Sequence, residues 1–450
     1  MGNAEDLAPH DLDDAQPTAN RFLRYIPLPR RRVWTYSIVI AALVVWAAVT
    51  LWIAAFALPS AIYWISYYAV DYSFGFVRRG LGGTIVELFP QRSYFTVSHL
   101  LMWGAVVAFL GSLAMLARRI LLSGRRSERR LLVAILLPAL PFAVTFSVYG
   151  PRPELFGAAA LVAFALAQRR LTTARDAAIA STVFGLTIAT LALIHEAIPQ
   201  EFALGAILAI AVLGPAMKSA HRWLCVALAV GPGVLTAAVV MAFGRRDLAE
   251  ALCAQVPHHL MKNGYKVPAD RLADYAFGRY QSLSDYHDWV CTYVIPYFGA
   301  SFSAAVRSVF SLGVPVLIGG FLHGLLVCLA TLWVVQFFTG VTIREFVRSI
   351  QMTPLAPALA LAAMIPVFVT GQDWIRWWMV ILINIATVYL TFAADRAALE
   401  KPVLSRDVRS FVAAVVVLIL LPLSAPAGYS SRWADGYTWS PQTGWTQTRS

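Results

Sequence analysis

"VWTYSIVIAALVVWAAVTLWIAAFAL", residues 33–58, runs for twenty-six residues without one charged side chain. A helix needs about 20 such residues to cross the hydrocarbon core of a bilayer, so the stretch reads as a membrane span. Similar apolar runs recur near 96–117, 131–149, 155–168, 177–194, 202–217, 223–243, 312–337, 353–370, 377–394 and 411–427. The pattern predicts an all-α fold: a polytopic integral membrane helical bundle of about eleven transmembrane helices. Composition agrees, because 59% of the residues are hydrophobic and only 13% are charged, where a soluble domain carries about a quarter. About thirty polar residues precede the first run, which does not suit a cleavable signal peptide. The expected division is a polar N-terminal segment, 1–32, a transmembrane domain, 33–427, and a C-terminal tail, 428–450.

The net charge of +12 does not point to nucleic acid. Basic residues occur in short clusters between the apolar runs: Arg30 to Arg32, Arg118 to Arg130, Arg169 to Arg175, Lys218 and Arg222, Arg344 and Arg348, and Arg396 to Arg409. These clusters share one side if the N-terminus is cytoplasmic, and that side then holds 22 of the 36 basic residues. Positive loops stay in the cytoplasm. The expected location is therefore a bacterial inner membrane, multi-pass, with loops 59–95 and 244–311 and the tail outside. Cys253 and Cys291 share the long outer loop, where a disulfide and two unpaired thiols both fit. Cys225 and Cys328 lie within apolar runs and read as packing residues.

Four compact polar motifs fall at outer helix ends. "VDYSFGFVRRGLGG", residues 70–83, carries Asp71, Arg78 and Arg79, with Glu87 following; "YGPRPELFG" carries Arg152 and Glu154. "IHEAIPQEF" carries His195, Glu196 and Glu201, and "TGQDWIRWW" carries Asp373 and Arg376. Singly, each has an ordinary reading. Asp373 and Arg376 can form a local i,i+3 pair, and Glu154 can complement a helix N-terminus. Trp374, Trp377 and Trp378 suit an aromatic belt. Together they place acid, base and imidazole at one membrane face, where unpaired charge costs several kcal/mol (roughly 3 or more). Carboxylates beside arginines can activate a hydroxyl and hold an anionic leaving group, and the planar fork of arginine suits phosphate. Gly75, Gly80, Gly82 and Gly83 among Trp64, Tyr67, Tyr68 and Tyr72 predict interfacial helices in the first outer loop.

On these residues the chain resembles the GT-C superfamily of membrane glycosyltransferases. The resemblance rests on a long first outer loop with an acid, Asp71, and on short Arg/Glu motifs such as "RPE" at Arg152 to Glu154. It implies transfer of a sugar from a polyprenyl-phosphate donor to a glycan or lipid acceptor of the cell envelope. Asp71 would be the general base, with Glu154, His195 and Glu196 as further catalytic residues. Arg78, Arg79, Arg152, Asp373, Arg376 and Glu87 would bind substrate and phosphate. No cofactor is required, although an ion bridging Asp71 and Glu154 is compatible with hard oxygen ligands. Tyr72 follows Asp71, so the adjacent acid pair common in that superfamily is missing, as is a large soluble C-terminal domain. A polysaccharide polymerase or ligase on the same face fits the same residues. A transporter fits less well, since the runs are nearly free of charge at mid-depth.

Overall fold

The computed structural model describes residues 28–57, 59, 61–424, 437–440 and 444–447. Residues 1–27 of the N-terminal segment expected at 1–32 and most of the tail expected at 428–450 lie outside the described residues. Each apolar run noted above contains a helix, so the protein is helical throughout its membrane-grade sequence. Among the described residues, strands are confined to two short antiparallel pairs, Leu260–Lys262 with Leu283–Asp285 and Tyr437–Ser440 with Gly444–Gln447.

Among the described residues, length and hydropathy together qualify six helices as membrane spans: Arg30–Ala57, Gln91–Leu122, Glu128–Tyr149, Ser219–Phe243, Val314–Thr339 and Trp374–Ala393. This is fewer than the eleven expected from runs alone. Three apolar helices are short, namely Glu154–Gln168, Ile198–Val212 and Leu355–Thr370. Proline and glycine interrupt even one of the six. The 131–149 run is bent through a 3-10 turn at Leu137–Ala139 that contains Pro138, and a Gly-Pro turn stops Val144–Tyr149 before the next helix begins. Proline removes a helical donor and clashes with the preceding turn.

Trp374–Ala393 is the central helix. Nearly all its side chains are buried, and it packs against Glu154–Gln168, Ile198–Val212 and Val314–Thr339. Arg30–Trp52 buries only Tyr36, Val39, Leu43 and Thr50, leaving an apolar surface of the kind that faces lipid. Close crossings rely on small residues, as in membrane helix packing generally. A Cβ added at Gly185 would lie 2.0 Å from the Leu228 carbonyl oxygen of Ser219–Phe243.

Two polar locks hold Glu154–Gln168 and Trp374–Ala393 parallel. At one end the Arg376 guanidinium donates to Glu154 at 2.7 Å. At the other, Asp395 accepts from Arg119 at 2.8 Å and from Arg169. Nineteen residues separate 376 from 395, or about 28 Å of helix at about 1.5 Å per residue, close to the apolar thickness of a bilayer. The arginine clusters that read as topology signals also act as structural clamps. Arg129 pairs with Asp407 at 3.4 Å, and the buried Arg130 donates to the carbonyls of Ile120, Arg125 and Ala394. The remaining motifs gather at the opposite end.

There the two long loops fold together. The first contributes short helices at Ala61–Trp64 and Gly80–Glu87, and the second contributes Ala249–Gln255, the Leu260/Leu283 hairpin and Tyr286–Tyr293. They share one apolar core that includes Ile65, Tyr68, Val77, Leu252, Tyr286 and Val290. The Arg245 backbone N–H donates to the Phe76 carbonyl at 2.9 Å, and its guanidinium reaches the Phe74 carbonyl at 3.1 Å. Cys253 and Cys291 form a disulfide, with Cα atoms 5.4 Å apart. Cys225 and Cys328 are buried free thiols. A maleimide applied to denatured, unreduced protein should therefore label two of the four cysteines, and all four after reduction. Labelling of all four without reductant would contradict the bond.

Candidate functional site

The motif at 70–83 is shaped by its glycines. Gly83 lies so close to the preceding strand of loop that an added Cβ would sit 2.2 Å from the Val70 carbonyl oxygen. Its N–H donates to that same oxygen at 3.1 Å. Arg79, immediately before the Gly80–Glu87 helix, has φ 62, the one left-handed non-glycine among the described residues. Such a conformation persists only where the surroundings over-determine it. Here they do: Glu196 accepts from Arg79 at 2.8 and 3.0 Å and also from Arg78. The Arg79 guanidinium lies over the rings of Tyr67 and Phe298 as well. Burial alone would raise the Glu196 carboxyl, but the guanidiniums of Arg79 and Arg78 overcome it and hold the group well below the usual carboxylate range.

The other three motifs meet next to this pair. Arg152, in the Gly-Pro-Arg-Pro turn, contacts Asp373 at 3.2 Å and rests its guanidinium on the Trp64 ring at 4.5 Å. Asp373 also meets Arg376 Nε at 3.1 Å, and Arg376 stacks on Trp377 at 3.7 Å. Glu154, the first residue of its helix, accepts from Arg376 and lies 3.9 Å from His195 Nε2. Glu201, in the first turn of Ile198–Val212, completes the group, with Glu154, His195 and Glu201 ligand atoms within 4.8 Å of one another. Desolvation, reinforced by Arg79, pushes His195 down to about 4, so its imidazole is neutral near pH 7. All these side chains are buried.

Asp71 stands apart from this network. It is buried, accepts the Ser73 N–H at 2.7 Å, and has Glu87 as its charged neighbour. Burial and the Asp71 carboxylate together raise Glu87. Arg78 and Arg79, expected as a free phosphate clamp, are already engaged by Glu196. Asp71 is not a member of the ligand group formed by Glu154, His195 and Glu201. The aromatics expected as an open platform are mostly interior, since Trp64, Tyr67 and Tyr68 are buried. Sequence reasoning placed Glu201 in its motif but gave it no role. The six-residue spacing from His195 becomes meaningful only when the turn at 193–197 folds the two together.

A cavity of about 280 Å³ lies beside the network. Ala54, Phe56, Met102 and Val148 form an apolar wall, while His99, His259 and Lys262 supply a basic rim. Trp64 and Pro151 also line it, so Arg152 stands directly behind its wall.

The fold and site define a multi-helix integral membrane protein with a network of ion pairs, largely buried, at one end of its bundle. The chain belongs to the family described as "Uncharacterised membrane protein Rv1490", whose model matches residues 36–419. It is 42% identical over 407 residues to "Uncharacterized protein Rv1490" of Mycobacterium tuberculosis (strain ATCC 25618 / H37Rv), covering 90% of this chain and 94% of that one. The same identity and coverage hold for "Uncharacterized protein Mb1527" of Mycobacterium bovis. No solved structure matches significantly.

Proposed function

We propose that the protein is a glycosyltransferase of a bacterial inner membrane, moving a sugar from a polyprenyl-phosphate-type donor to a glycan or lipid acceptor on the non-cytoplasmic face. In this reading the N-terminus is cytoplasmic, the eleven helical runs all enter the bilayer, and loops 59–95 and 244–311 lie outside. The Cys253–Cys291 disulfide supports that side, because such bonds persist in oxidising compartments.

The observation that carries the proposal is the cavity. Its apolar wall comes from the ends of membrane helices and suits a lipid chain, and its rim of His99, His259 and Lys262 suits a phosphate. Arg152 adds positive potential behind Trp64. The Asp71–Glu87 pair supplies the acid–base chemistry. A carboxylate takes the proton of the acceptor hydroxyl, the oxygen bonds to the anomeric carbon, and the carbon–oxygen bond to the lipid phosphate breaks. The phosphate leaves with the bonding pair and is stabilised by the basic rim. Glu154, His195, Glu196, Asp373 and Arg376 hold the face in shape and keep Arg152 aimed at the cavity.

The test is sugar transfer by purified protein in proteoliposomes supplied with a polyprenyl-phosphate sugar. Asp71→Asn should lower kcat by at least about a hundredfold, the low end of general-base effects. Lys262→Gln should raise KM for the donor with a smaller change in kcat. Equal turnover by wild type and Asp71→Asn would remove Asp71 from the mechanism. Solute uptake with no donor present would favour a transporter.

A further inference from the structure

We propose that Glu154, His195 and Glu201 form a binding site for one divalent first-row transition-metal cation, zinc or manganese.

Three observations carry it. The ligand atoms of these residues lie within 4.8 Å of one another, the separation that a single ion can bridge. The site is buried: Glu154 and His195 are each 4% exposed and Glu201 is 1% exposed. It is also unsatisfied, since both carboxylate oxygens of Glu201, Oε2 of Glu154 and Nδ1 of His195 have no hydrogen-bond partner among the described residues. A buried polar atom without a partner costs about 1–3 kcal/mol, and more when charged, and a bound cation would satisfy such atoms.

Glu201 stands outside the ion pairs around it. Arg78 and Arg79 pair with Glu196, Arg152 pairs with Asp373, and Arg376 pairs with Glu154 and Asp373. Four guanidiniums thus meet the three carboxylates of Glu154, Glu196 and Asp373, while Glu201 has an ion pair with none of them. Arg376 engages Oε1 of Glu154, leaving Oε2 available. The backbone around Glu201 is held firmly: Asn384 donates to the Glu201 carbonyl at 2.7 Å and accepts the Gly205 N–H at 2.7 Å. These bonds fix the position of the helix turn that carries Glu201.

Ligand chemistry selects the metal class. One imidazole with two carboxylates and an open position suits zinc or manganese. Calcium prefers six to eight oxygens, and magnesium keeps much of its water. Two other clusters are weaker. His258, Asp285, His287 and Asp288 lie at the surface and pair among themselves at 3.2 and 3.0 Å. Cys253 and Cys291, beside His287, are bonded to each other.

The metal site does not depend on the transferase reading, and its test needs no activity. Full-length protein is purified in detergent, stripped with chelator, and titrated separately with Zn²⁺, Mn²⁺ and Mg²⁺. The expected result is one Zn²⁺ or Mn²⁺ per chain by elemental analysis and a rise in melting temperature that Mg²⁺ does not reproduce. Glu201→Gln and His195→Gln should weaken the metal at least about a hundredfold, while Glu250→Gln in the long loop leaves affinity unchanged. The Mn²⁺ resonance spectrum reports the same binding without reference to stability. If wild type takes up no metal and shows no shift, the proposal fails. It also fails if metal is retained in both ligand variants, or if Glu201→Gln stabilises a metal-free protein, which would mark Glu201 as a buried neutral acid.

Discussion

Arg376→Leu should cost about 3–5 kcal/mol of stability, the usual penalty for removing one partner of a buried ion pair. Arg376 is 7% exposed and serves two carboxylates, Glu154 at 2.7 Å and Asp373 at 3.1 Å. Without it Glu154 keeps no guanidinium partner, and Asp373 is left to Arg152 alone. The loss is a large part of the roughly 5–15 kcal/mol that holds a typical protein folded. Thermal unfolding of detergent-solubilised protein measures it. The double variant Arg376→Leu/Glu154→Gln should recover part of the loss, because it deletes one of the orphaned charges. A single-variant cost below about 1 kcal/mol would mean that the network is solvated and behaves as a surface pair.

Gly83→Ala should be the next most damaging change, at about 1–3 kcal/mol, the range for overpacking a tight interior. The new methyl would meet the Val70 carbonyl oxygen at 2.2 Å and its carbon at 2.5 Å. Both are backbone atoms next to Asp71, so the contact cannot be relieved by rotating a side chain. The Val70–Asp71 segment must move, and the Gly83 N–H bond to Val70 must lengthen with it. Gly278→Ala is the informative contrast: it lies in open space but at φ +74, so any cost there is backbone strain alone. The result that overturns the close-approach argument is a Gly83→Ala protein as stable as wild type.

Much of the fold was legible one residue at a time. Runs such as 33–58 declare membrane helices because water-free surroundings demand apolar side chains and internally satisfied backbone. The four polar motifs were legible as exceptions to that rule. What they pair with was not. Arg78 and Arg79 look like a free clamp in sequence, yet Glu196, more than a hundred residues away, pairs with both. Asp71 shares their motif but belongs to a separate acidic pair with Glu87. The arginines at 119, 129, 130 and 169 read as orientation signals, while in three dimensions they also bind loop carbonyls and carboxylates across the bundle.

The sequence by itself determined that this chain is a multi-helix membrane protein and which ionisable residues fall at the ends of its helices. Hydropathy is a local property, so a single run is enough to read it. Tertiary structure alone decided that Glu154, His195 and Glu201 converge, that Arg152 lies behind Trp64 beside a cavity, and that Arg376 joins two helices. Ion pairing and ligand geometry act over a few ångströms between residues far apart in the chain. Only the packed bundle sets those distances.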